Sequence, residues 1–159
     1  MSATVTYTGN VGGDVTVSDT RSGGQWVRFN IAVYQGKTPD GTEKPPAWFT
    51  VKAFSSRGAE NFPANIKASI ATGMRVVVTG RHEVEKYTPL NKSTRQPLRD
   101  EEGTVVERIQ NVIVADSVAI DLRYASVPDV VRNPRGDSAA SYGAGRPVAN
   151  DYSFDDEPF

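Results

Sequence analysis

The chain has 159 residues, 38% of them hydrophobic, with a formal net charge of −1 and no cysteine. That length allows one domain with an extension or two small domains, and the lack of cysteine excludes disulfides, iron–sulfur clusters and thiolate zinc sites. No apolar run approaches the roughly 18 residues of a membrane span and the N-terminus has no signal-peptide pattern, which suits a cytoplasmic protein.

Residues 4–8 alternate apolar and polar side chains, Gly9 and Asn10 break the pattern, and residues 14–17 form a short second stretch. Residues 26–34 alternate well: Val27, Phe29, Ile31 and Val33 share one face, and Trp26, Arg28, Asn30, Ala32 and Tyr34 the other. Residues 48–54 alternate again, and residues 74–87 read as a long strand with Gly80 inside it. A glycine within a strand suggests a bulge or a barrel corner. Residues 109–122 close the β pattern. The one good helix candidate is about 57–71, where Phe62, Ile66 and Ile70 recur at helical spacing and Gly73 follows as a stop signal. Pro63 near its start predicts an irregular first turn. Five β segments with one helix between the third and fourth predict an OB-fold, a five-stranded barrel.

Composition changes near residue 125. Residues 126–150 are rich in Gly, Ala, Ser, Pro, Arg and Asn without a period of 2 or 3.6, which predicts a disordered linker. The expected layout is a folded body over 1–125, a linker over 126–150 and a tip over 151–159. That tip carries Asp151, Asp155, Asp156 and Glu157, has no base, and ends on Pro158-Phe159. A terminal aromatic beside carboxylates suits capture by a partner, the ring filling an apolar pocket while the acids meet Arg, Lys or backbone amides. On charge alone, a solvated acidic tail is the alternative. Charge is segregated accordingly: residues 125–159 hold three bases and six acids, and residues 1–124 hold 15 bases and 13 acids. The acidic overall balance is therefore no argument against a polyanionic ligand.

The strongest signal in the body is the strand at 48–54. Trp48, Thr50, Lys52 and Phe54 fall on one side, and Phe49, Val51 and Ala53 on the other. A face that interleaves aromatics with a cation offers bases a stacking platform and neutralises the phosphates between them. Duplex DNA hides its base faces, so such a surface would select single strands. The opposite assignment, with Trp48 and Phe54 in the core, is open at this point. Arg81, Lys86 and Tyr87 end the long strand, and Lys92, Arg95 and Arg99 follow in what reads as a long, mobile β-hairpin with mixed charge. A plain solvated hairpin is its alternative.

Catalysis finds little support. His82 is the only histidine, no serine has an evident base, and a protein-only zinc site is improbable. Gly9, Gly12 and Gly13 lack the lysine and spacing of a phosphate-binding loop and read as turn glycines. No cofactor is expected.

Together these residues resemble the bacterial single-stranded-DNA-binding proteins, with most similarity to actinobacterial or actinophage-type members. The resemblance is carried by Gly9-Asn10, Phe29-Asn-Ile-Ala-Val33 and Trp48-Phe-Thr-Val-Lys-Ala-Phe54, then Ala59-Glu60-Asn61 and Val76-Val-Val-Thr-Gly-Arg81. Leu122-Arg-Tyr-Ala125 and the terminal Asp155-Asp-Glu-Pro-Phe159 complete it. It implies a homotetramer of OB-folds that wraps single-stranded DNA in the cytoplasm, at the nucleoid, and serves DNA replication, recombination and repair. Trp48, Phe54 and Tyr87 match base-stacking positions. Arg28, Lys52, Arg81 and Lys86 fall at or near places where the backbone is contacted. Asp155, Asp156, Glu157, Pro158 and Phe159 match the tip that recruits partner proteins. Three departures stand out: residues 35–47 lack the aromatic often found there, the segment 88–106 is longer than usual, and the tip is one residue shorter than the commonest form although its chemistry is kept. The competing readings are an oligomeric interaction scaffold whose tip is the working part, and an OB-fold nuclease, for which no metal or general-base cluster is evident.

Overall fold

A computed structural model describes residues 3–129. The strands are β1 (Thr4–Asp19), β2 (Gln25–Val33), β3 (Ala47–Phe54), β4 (Arg75–Tyr87) and β5 (Arg108–Ile120), with the helix α1 (Phe62–Ser69) between β3 and β4. They close into a barrel in the order β1-β2-β3-β5-β4, with β1 pairing back onto β4. All neighbours are antiparallel except β3 and β5, which run parallel from Thr50↔Val112 to Lys52↔Val114. This is the expected OB-fold. No helix among the described residues is long and apolar enough to cross a membrane. The expected acidic tip and most of the expected linker lie outside the described residues.

Alternation decides what lies inside. Val27, Phe29 and Ile31 of β2, Val51 and Ala53 of β3, Val76 and Val78 of β4 and Ile113 of β5 are buried to within 1%. Full burial of such a side chain contributes about 1.5–3 kcal/mol, so each strand is held by the face that sequence periodicity assigns to the core. Ile66 of α1 and Ile70 at its C-terminal end join that core, and the helix packs against β1, β2 and β3.

Two elements differ from expectation. The break at Gly9-Asn10 is no break: β1 is one strand, its first half paired with β4 and its second half with β2, and Asn10 registers with both Arg75 and Ala32. An irregularity between Gly12 and Thr16 bends the strand yet keeps its phase, with Val11 before it and Val15 after it both in the core. The sequence reads as two stretches because the inward position 9 is a buried glycine with no apolar side chain. The helix is shorter than 57–71. Pro63 occupies its first turn, where a missing N–H is harmless, and the residues before it form a turn in which Ala59 N–H donates to the Ser56 carbonyl at 2.9 Å.

Gly80 sits where a bulge was expected, the β4–β5 register shifting between Thr79 and Gly80. A Cβ there would lie 2.1 Å from the Val114 carbonyl oxygen and 2.7 Å from Ala115 Cα. The corner thus requires a residue without a side chain. Beyond Tyr87↔Arg108 the β4–β5 hairpin continues as two short turns, bridged at Leu90↔Pro97 and Arg99↔Val105.

Candidate functional site

Residues on the outward faces of β2 and β3 pair across the ladder as Trp26↔Phe54, Arg28↔Lys52, Asn30↔Thr50 and Ala32↔Trp48. Their sequence neighbours Phe49, Val51 and Ala53 are buried, whereas Trp48 is 55% and Phe54 43% exposed. The reading that puts Trp48 and Phe54 in the core is therefore overturned.

At one end of this strip Trp26 and Phe54 stack with ring centroids 5.9 Å apart and planes 15° from parallel. At the other end the Trp48 ring lies over Gly12 of β1, where an added Cβ would meet ring carbons at 2.5 and 2.7 Å. A groove of about 380 Å³ opens beside Trp48, and Arg28, Thr50, Tyr87 and Ile109 also line it. Tyr87 is 39% exposed. Two exposed aromatics and a guanidinium from three strands thus meet around one groove.

Two bases directly opposite, Arg28 and Lys52, would repel each other. Glu85 of β4 relieves this. Both of its carboxylate oxygens accept from Lys52 Nζ at 2.7 Å, and Gln110 Nε2 donates to it at 3.2 Å. The Lys52 hydrogen bond holds the Glu85 carboxyl below the usual glutamate range, against an opposing effect of partial burial, with the Lys52 and Arg28 charges adding to the lowering. Arg81 shares the row, since Lys52 and Arg81 both register with Val114, and it is exposed. Lys86 does not join the groove. Strand alternation puts it on the opposite side of β4 from Glu85 and Tyr87, and it lies 3.6 Å from Glu107 with its side chain 76% exposed.

The structure therefore brings Arg28, Trp48 and Tyr87 to one groove, with Lys52, Phe54 and Arg81 on the same outward surface. Sequence reasoning did not single out Trp26, although its alternation with Arg28 carried the signal. Glu85 and Gln110 left no local signal, because only the β4–β5 register brings them to β3. His82 Nε2 lies 3.2 Å from Asn111 Oδ1 and the ring meets Phe49 edge-on at 5.8 Å, a packed structural setting. Among the described residues no group of three or more His, Asp or Glu could hold a metal ion.

A surface with flat rings at both ends and cations between them is suited to an extended, flexible polyanion with stackable faces. The model of the single-strand binding protein family matches residues 3–118. Among solved structures, the chain is similar to a small single-stranded DNA-binding protein from Streptomyces coelicolor, at 25% sequence identity and a TM-score of 0.55. The match covers 77% of this chain and 96% of that one. Curated protein sequences give no significant match.

Proposed function

The chain belongs to the single-strand binding protein family, and we propose that it binds single-stranded DNA along the outward face of β2 and β3 with little sequence preference. The observation that carries this reading is the exposure of Trp48 and Phe54 on a face whose alternate residues are buried. Trp48, Tyr87 and the Trp26–Phe54 pair stack on bases, and Arg28, Arg81 and Lys52 answer the phosphates. Lys52 does so with a charge already matched by Glu85. Lys86 contributes at long range from the other side of the hairpin. The similar Streptomyces protein is named for the same ligand.

The remaining features extend this reading. The body over 1–125 assembles as a homotetramer, residues 126–150 link it to the tip, and Asp155–Asp156–Glu157–Pro158–Phe159 recruits proteins of replication, recombination and repair. No step of this function needs catalysis or a cofactor.

Titration with oligo(dT) at two salt concentrations, followed by tryptophan fluorescence with duplex DNA as control, tests the binding face. Quenching by the single strand alone, weaker at high salt through counterion release, is the expected result. An equal response to duplex would refute it. In the same assay, removal of residues 151–159 should leave affinity intact or raise it, because an anionic tip competes with phosphate for the basic surface.

A further inference from the structure

Of the bases Arg28, Lys52 and Arg81 on the binding surface, one is already engaged. Among the described residues Arg28 and Arg81 form no ion pair, whereas Lys52 Nζ donates to both carboxylate oxygens of Glu85 at 2.7 Å. The two side chains are only 20% and 34% exposed, so salt screens them less than a pair in open solvent. Glu85 also accepts from Gln110 Nε2 at 3.2 Å. Its ionised form is held by Lys52 first, and by Gln110 and Arg28 after it.

Register shows how far the lysine leans to make this pair. Lys52 stands level with Val114 of β5, and Glu85 stands level with Gln110. The bridge therefore crosses the level of Val112. By alternation Val112 faces outward with Gln110 and Val114, and it is nonetheless fully buried and outside the core cluster. A phosphate that drew Lys52 away would open the cover over this apolar side chain. It would also leave a partly buried carboxylate without its main partner, close to the phosphate's own negative charge. Both consequences oppose the exchange.

We propose that Glu85 withholds Lys52 from the phosphates and so sets the strength of single-strand binding, the surface acting with one cation fewer than its sequence supplies. The proposal rests on the single-strand binding reading and narrows it at Lys52, whose share in phosphate binding Glu85 holds down. Affinity then leans on stacking, which only exposed bases supply, and less on charge, which any polyanion can answer.

Dissociation constants for oligo(dT), measured on the full chain across a range of salt, test this. Wild type, Glu85→Gln, Glu83→Gln and the double variant Lys52→Gln/Glu85→Gln are compared, each first shown by a thermal melt to be folded. Each phosphate neutralised on a single strand adds about 0.7 to the slope of log affinity against log salt. Glu85→Gln frees one lysine, so the slope should steepen by about 0.7 and affinity should rise about 5-fold near 0.1 M salt. The double variant should lose that gain, because no lysine is left to free. Glu83 lies on the same side of β4 as Glu85 and pairs with no base among the described residues. Glu83→Gln makes the same change in charge without releasing a cation, and should move both quantities less. An unchanged constant and slope in Glu85→Gln, an equal gain in Glu83→Gln, or a gain that survives in the double variant would overturn the proposal and leave the binding face standing. Failure of wild type to bind oligo(dT) would overturn the binding reading as well.

Discussion

Replacing Gly12 with alanine asks whether the position of one aromatic ring governs affinity. A Cβ at Gly12 would lie 2.5 Å from Trp48 Cζ3 and 2.7 Å from Cη2. Carbon atoms are comfortable at about 3.5–4.0 Å, so the ring must retreat by about 1 Å. Trp48 is 55% exposed and has solvent to retreat into, and Gly12 is not among the residues with positive φ, so alanine fits the backbone. Loss of glycine's freedom in the unfolded chain offsets the remaining strain by about 0.4–1 kcal/mol. Stability should therefore change by less than about 1 kcal/mol. Affinity should suffer more. Removing a stacking aromatic costs about 1–3 kcal/mol per base; a displaced ring keeps part of that, so Gly12→Ala should weaken oligo(dT) binding by about 1 kcal/mol, roughly 5-fold. The decisive comparison is a double-mutant cycle with Trp48→Ala, read by anisotropy of labelled oligo(dT). Once the ring is gone the new methyl has nothing to displace, so the double variant should bind as Trp48→Ala does. Full affinity in Gly12→Ala, or additive losses in the double variant, would refute the reasoning.

Gly80→Ala should act on the fold instead. Its Cβ would strike backbone atoms of Val114 and Ala115, which cannot yield as an exposed ring can, so a loss of about 3 kcal/mol or more is expected. Denaturant unfolding checks this, and a wild-type midpoint would show that the corner relaxes. A third prediction concerns acid. Glu85 has a folded-state pKa below its ordinary value of 4.5, so in that region the folded chain binds fewer protons than the unfolded chain. The contribution of the Lys52–Glu85 pair is complete above about pH 4.5 and is lost as pH falls through the lower folded value. The stability difference between wild type and Glu85→Gln, followed by chemical unfolding from pH 7 to 3, should be level above that point and shrink below it. A difference that grows on acidification would contradict the assignment.

Much of the barrel was legible in the chain because a strand's period of two is imposed by local geometry. Phe49, Val51 and Ala53 had to face opposite Trp48, Lys52 and Phe54, whatever the fold. Which of the two sets faced water was not legible, since both are rich in aromatics; closure of the barrel over Phe29, Ile31 and Ile113 decided it. The break read at Gly9-Asn10 failed because the inward position there is a glycine, which is buried but carries no apolar side chain to continue the pattern. The short helix, too, was masked by apolar spacing that continues past its ends into Ile70.

The sequence by itself determined the faces of the strands, the glycine at the barrel corner and the family, through patterns that neighbouring residues impose on one another. Tertiary structure alone decided the content of the groove and the residues that support it. Gly12, Thr50, Glu85, Tyr87 and Gln110 come from four strands, and no spacing along the chain relates them. Their meeting depends on the register of β3 against β5 and of β5 against β4, set by burial of Val51, Ile113 and Val78 on the other side of the sheet. Hydrophobic burial on the inner face thus fixes which polar and aromatic groups become neighbours on the outer one.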